Sequence, residues 1–224
     1  MRCSLKSVFK SLAACVSIET YQRFITYSIL KQAFTQLQSC QAFRVKEELW
    51  DYCSEVLVGH DKSVTFIEFG VHQGASIKYF AGKNSSSESR FIGLDSFEGL
   101  PEQWASFPKG YFSTNGVIPD VTDSRIAFIK GWFQETSATL HELIVDRDNF
   151  VVHYDADLYS STLFALSSID SLKKSYLAIF DEFTGHETRA LYNYAQSYNA
   201  SVKFLGKTLA LGYPNQVLCE IKPC

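Results

Sequence analysis

The sequence lacks several signatures that would narrow its class at once. It contains no CxxC pair, no GxGxxG turn, no long apolar run and no dense block of one charge. The six cysteines, Cys3, Cys15, Cys40, Cys53, Cys219 and Cys224, are scattered without zinc-ligand spacing, so they read as reduced cytosolic thiols and imply a cytoplasmic location. No stretch of roughly 18 apolar residues occurs, so no membrane span is expected. Without a dense Lys/Arg run, nucleic-acid binding is not expected either. Internal repeats and long low-complexity tracts are also missing.

The 224 residues suit one domain with a sizeable core, and 46% hydrophobic with 20% charged residues is ordinary for a globular chain. The net charge of −3 is unevenly spread. Residues 1–46 carry seven basic residues against Glu19, a net of +6, while the remainder carries 14 basic against 23 acidic residues, a net of −9. Such a basic arm can pack on an acidic body, its own or a sister subunit's, or touch an anionic partner. It is also somewhat like an organelle transit peptide. Helical apolar spacing over residues 5–58, for example Phe24, Ile25, Tyr27, Ile29 and Leu30, favours a structural arm instead. The expected division is a helical arm over residues 1–58, forming a homo-oligomer, and a catalytic domain over 59–224.

From residue 64 the pattern changes to short apolar runs separated by helical stretches. Strands are expected at Val64–Phe69, Phe91–Leu94, Ile126–Ile129, Phe150–Tyr154 and Leu177–Phe180. Buried runs of this kind indicate a mostly parallel sheet covered on both faces, a Rossmann-like α/β fold. Val202–Leu209 and Gln216–Ile221 flank Gly212-Tyr213-Pro214-Asn215 and read as an antiparallel hairpin, for seven strands in all. Residues 96–125 hold Gly99, Pro101, Pro108, Gly110, Gly116 and Pro119 with five aromatic residues, and a loop this long is expected to roof a site.

In open parallel sheets, ligands bind beyond the carboxyl ends of the strands. The first expected strand ends Glu68-Phe69-Gly70-Val71-His72-Gln73-Gly74-Ala75-Ser76. Its glycines allow a tight turn and close approach, and the acid suits a cofactor with a cationic amino group. Asp95, which ends the second strand 21 residues after Gly74, can accept ribose hydroxyls of an adenosine cofactor. Asp155, Asp181 and Glu182 follow two neighbouring strands. Gathered carboxylates need a cation or a proton, and hard oxygen ligands suit Mg²⁺. The alternative is that Asp155, Asp157 and Asp181 cap the helices that follow. His153 reads as a satisfied core histidine. His72 and His186 could approach a substrate, and His60 and His141 read as surface residues.

At these motifs the chain resembles class I S-adenosylmethionine-dependent methyltransferases of the macrocin O-methyltransferase type. The matching segments are Glu68–Ser76, Gly93-Leu94-Asp95-Ser96-Phe97-Glu98-Gly99-Leu100-Pro101, Lys130-Gly131-Trp132-Phe133, Asp155-Ala156-Asp157-Leu158-Tyr159-Ser160-Ser161-Thr162 and Phe180-Asp181-Glu182-Phe183. The resemblance implies O-methylation of a hydroxyl on a sugar or glycosylated small molecule. It implies that Glu68, Gly70, Gly74 and Ser76 hold the methionine part of S-adenosylmethionine, that Asp95 holds its ribose, that Gly131 and Trp132 border its adenine, and that Ser96 is also cofactor-binding. Asp155, Asp181 and Glu182 would hold Mg²⁺, with Asp155 also near the proton to be removed. Glu182 stands where the family often has an aspartate. The resemblance also implies that the N-terminal helices build an oligomer and help cover the site. The rival readings are an NAD-dependent oxidoreductase on a similar sheet, which would require the missing GxGxxG turn, and a non-catalytic binding protein on a methyltransferase fold.

Overall fold

A computed structural model describes residues 16–144 and 149–224. Residues 1–15 of the expected arm, with Cys3 and Cys15, lie outside the described residues. The other four cysteines are free.

Helix α1 (Ile18–Gln32) starts where Ser17 Oγ accepts a hydrogen bond from the Thr20 N–H at 3.2 Å. A 3₁₀ turn (Thr35–Gln38), strand β1 (Gln41–Phe43) and helix α2 (Lys46–Asp51) follow, with a π-helical turn over Tyr52–Val58. The body then alternates β2 (Val64–Phe69), α3 (Ala75–Lys83), β3 (Arg90–Asp95), β4 (Ile126–Lys130), α4 (Phe133–Leu143), β5 (Asn149–Tyr154), α5 (Tyr159–Asp170), β6 (Tyr176–Phe180) and α6 (His186–Tyr198). Strands β7 (Ser201–Ala210) and β8 (Tyr213–Lys222) form the closing hairpin.

Among the described residues eight strands lie in the order β1-β7-β8-β6-β5-β2-β3-β4, and of these β8 alone runs against its neighbours. The count exceeds the expected seven because β1, in a segment read as helical, pairs with the edge of β7 through Gln41–Phe43 and Gly206–Thr208. All six residues of β2 are buried, as a central strand covered on both faces requires. From β2 the chain winds one way to β3 and β4 and the other way to β5 and β6, so the switch point lies between β2 and β5.

Three rings level the carboxyl ends of the central strands. Phe69, Tyr154 and Phe180 are register partners on β2, β5 and β6. Tyr154 lies nearly parallel to Phe69 at 5.8 Å and to Phe180 at 4.9 Å between ring centroids. With the last strand residues stacked on one face, Gly70, Asp155 and Asp181 leave the sheet at one level.

The N-terminal segment is part of the core. Ile29, Leu30, Phe34 and Leu37 are buried in the same cluster as Phe183, Tyr194 and Phe204. The buried Lys207 ammonium ties the segment down by donating to the carbonyls of Leu37 at 2.6 Å and Gln38 at 2.9 Å. The other face of α1 leaves Ile18, Tyr21 and Phe24 exposed. No described helix is long and apolar enough to cross a membrane.

Candidate functional site

The strand ends open into a cleft of about 330 Å³, within the usual range for ligand sites. Its floor is made by Gly70, Asp95, Asp155, Asp157, Asp181 and Glu182, one wall by Trp132 and Phe133, and its roof by Leu100, Pro101, Trp104 and Phe112. The roof belongs to the long loop anticipated over residues 96–125. An aromatic cluster stiffens it: Phe107 lies 4.5 Å from Tyr111 and 5.6 Å from Phe112, and Trp104 lies 5.5 Å from Phe107. Ser160 Oγ, at the start of α5, donates to Glu102 Oε1 at 3.1 Å and ties roof to floor.

Gly70 answers to a close approach. Its φ is +91°, and a Cβ there would meet the Asp155 carbonyl oxygen at 1.8 Å. Only glycine lets β2 leave the sheet against the end of β5.

Asp95 organises the loop it faces. Oδ2 accepts from the N–H groups of Val71 and His72, both at 2.8 Å, and Oδ1 accepts from Phe97 N–H at 2.7 Å. Three of roughly four lone-pair positions on the carboxylate are thus taken by backbone. Ser96 lines the cleft beside it, its Oγ accepting from the Glu98 N–H at 3.1 Å.

The expected residues divide into two groups. Gly70, Asp95, Ser96, Trp132, Asp155, Asp181 and Glu182 line the cleft, whereas Glu68, Gly74, Ser76 and Gly131 do not. Glu68 is fully buried below the floor, where Ser76 Oγ donates to its Oε1. Gly74 takes a left-handed conformation (φ +73°) as the N-cap of α3.

The acids do not cap the following helices. The N-cap positions of α5 and α6 are Leu158 and Gly185, and neither makes a side-chain cap. The carboxylates face one another instead. Burial, then Asp181, Asp157 and Glu68, push Asp155 well above the aspartate range, with Lys46 acting the other way. Burial, then Glu182, Asp181 and Asp95, push Asp157 up to about 7. Glu187, at the start of α6, is buried, accepts from the Glu182 N–H at 2.9 Å and is likewise raised by burial and Asp181. Burial and then Arg189 lower His186, whose Nδ1 accepts from the Tyr159 N–H at 3.1 Å.

One combination was not expected. His153, Asp155 and Asp181 offer one ligand atom each, all within 4.8 Å of one another, and Glu182 is not in that group. Gln216 Nε2 donates to Asp181 Oδ1 and orients it from β8. Nothing local in the sequence marks Gln216 or Glu187. His153 does carry a signal, because it lies two residues before Asp155 and strand alternation puts both on one face.

No protein-family model matches the chain, and no curated protein matches it in sequence. Solved structures do match over almost the whole length. An O-methyltransferase from Bacillus cereus in complex with S-adenosylhomocysteine aligns with a TM-score of 0.53 at 12% identity, covering 96% of this chain and 97% of that one. The O-methyltransferase TomG from Streptomyces achromogenes, in complex with S-adenosylmethionine, aligns with a TM-score of 0.51 at 10% identity, covering 97% and 96%. The fold is the Rossmann-like fold of these methyltransferases. At such identities the likeness is one of architecture.

Proposed function

We propose that the protein is an S-adenosylmethionine-dependent O-methyltransferase of the macrocin type, which methylates a hydroxyl of a sugar or glycosylated small molecule with the help of a divalent cation. The observation that carries this reading is the convergence of Gly70, Asp95, Asp155 and Asp181 from four strand ends on one roofed cleft. S-adenosylmethionine supplies a methyl group on a sulfonium, and a bound cation such as Mg²⁺ lowers the pKa of a coordinated hydroxyl.

The residues fit both groups. Trp132 offers a flat apolar face for an adenine. Asp95 keeps an acceptor position for a ribose hydroxyl, beside Ser96. Gly70 lets its loop turn against the end of β5 and line the cleft where the methionine part would lie. Asp155, Asp157, Asp181 and Glu182 crowd the floor, and crowded carboxylates favour a cation among them. Asp155 is the residue to receive the acceptor's proton. Trp104 and Phe112 exclude water and hold the acceptor in line with the methyl group, and positioning supplies much of the rate in such a transfer. Glu68, Ser76, Gly74 and Gly131 act through the loops they support.

Self-association through the exposed face of α1, as a homo-oligomer, belongs to the same proposal. A basic arm and an acidic body are complementary between copies.

A methyl-transfer screen over glycans and glycosylated small molecules, with and without Mg²⁺, tests the proposal. Transfer to a sugar hydroxyl is expected. Transfer to nitrogen or carbon acceptors alone would overturn the O-methyl assignment.

A further inference from the structure

Glu68 and His153 are register partners on β2 and β5, so their side chains stand together on one face of the sheet. Both are fully buried, and His153 Nδ1 lies 2.9 Å from Glu68 Oε1. Ser76 Oγ donates to that same oxygen. A carboxylate only accepts, so Nδ1 donates this bond, and in a neutral imidazole the lone pair then lies on Nε2. Among the described residues Nε2 has no hydrogen-bond partner. Leaving a buried polar atom unpaired costs about 1–3 kcal/mol, so the arrangement calls for a partner. Two residues further along the same face stands Asp155, with Asp181 beside it. A ring nitrogen of His153 and a carboxylate oxygen from each aspartate lie within 4.8 Å of one another. Ligand atoms about 2.1 Å from a shared ion lie at most about 4.2 Å apart, so small side-chain movements complete the set.

We propose that His153 is a metal ligand, its Nε2 joining Asp155 and Asp181 in an N,O,O triad, with Glu68 as the outer carboxylate that fixes the imidazole. This inference rests on reading the cleft as the methyl-transfer site and assigns that site's third ligand to His153 in place of Glu182. It also changes the ion. An imidazole beside two carboxylates suits Mn²⁺, Fe²⁺, Co²⁺ or Zn²⁺ better than Mg²⁺, which prefers oxygen throughout. A triad leaves coordination positions open for substrate oxygens on the cleft side. In the competing account His153 only packs, among Trp50, Phe80 and Phe66 at 5.9, 6.3 and 6.5 Å, and the ion is held by oxygens alone.

Pulsed electron paramagnetic resonance of the full chain loaded with Mn²⁺ separates the two. Echo modulation from one imidazole nitrogen is expected in the wild type and should vanish in His153→Gln. Calorimetry should show Mn²⁺ bound at least 10-fold more tightly than Mg²⁺. Glu68→Gln, which leaves the ligands in place, should weaken Mn²⁺ by about 10- to 100-fold, as loss of outer-shell partners does. Bound Mn²⁺ without nitrogen modulation, or no Mn²⁺ binding, overturns the proposal, and the wild-type spectrum decides the matter even where His153→Gln fails to fold. S-adenosylhomocysteine binding, measured on the same samples, reports separately on the cleft. Its absence alongside nitrogen-coupled Mn²⁺ would overturn the methyl-transfer reading and leave the triad standing.

Discussion

The α-carbon of Gly70 points its missing side chain at the Asp155 carbonyl oxygen, which a Cβ would approach to 1.8 Å. Gly70→Ala must therefore move backbone and also adopt a positive φ. Left-handed backbone costs roughly 1–2 kcal/mol for an L-residue, and overpacking typically adds about 1–3 kcal/mol. Urea denaturation should show a loss of at least about 2 kcal/mol. Gly212, in the hairpin turn, also has a positive φ but open space around it, so Gly212→Ala should cost only the smaller first part.

Arg125 clamps the end of α3 to the start of β4. Its guanidinium donates to the carbonyls of Ala81 and Asn84, both at 2.7 Å, and to Asp123 Oδ2 at 2.6 Å. Arg125→Met removes these three bonds and should destabilise by about 2–3 kcal/mol in thermal or urea unfolding. The Arg125 hydrogen bond holds Asp123 below the usual aspartate range. A lowered folded pKa stabilises above the unfolded value of about 3.9 and is lost as pH falls through the folded one. Asp123→Asn should therefore flatten the acid limb of the stability profile, by under about 1 kcal/mol for a partly exposed pair.

A chain beginning at residue 59 should not fold. It would lack Ile29, Leu30, Phe34, Leu37, Leu49 and Trp50, all buried. At about 1.5–3 kcal/mol each, that burial is comparable with the whole net stability of a domain, about 5–15 kcal/mol. Circular dichroism of the shortened chain is expected to lack a cooperative transition. Self-association is better tested in the full chain by Tyr21→Ser with Phe24→Ser, on the exposed face of α1. Light scattering should show a smaller assembly with unchanged thermal stability.

Asp181 is oriented by Gln216 and shares its metal-ligand group with Asp155. Asp181→Asn removes one charge at nearly constant volume. Calorimetry should show divalent metal binding weakened by at least about 10-fold, while S-adenosylhomocysteine still binds. Methyl transfer should fall in EDTA and return with added divalent metal.

The central strands were legible because each is a short apolar run bounded by turns, and burial on both faces needs no alternation. Strand β1 was not, since Gln41 and Ala42 are exposed and the strand exists only through the edge of β7. The acids at the strand ends were readable because open α/β sheets gather ligands there. The partnership of His153 with Glu68 spans 85 residues and depends on the parallel register of β5 on β2, which no local pattern reveals. Glu68 and Ser76, matched to the methionine part of a cofactor by motif alone, bond to each other beneath the cleft.

Calorimetric titration of the purified full chain with S-adenosylhomocysteine and, in parallel, with NAD tests the central claim most directly. The account predicts binding of S-adenosylhomocysteine and none of NAD. It also predicts that Asp95→Ala weakens this binding by a few kcal/mol at most, about the worth of hydrogen bonds to a charged group. Tighter binding of NAD, or no binding of S-adenosylhomocysteine by the folded chain, would contradict it.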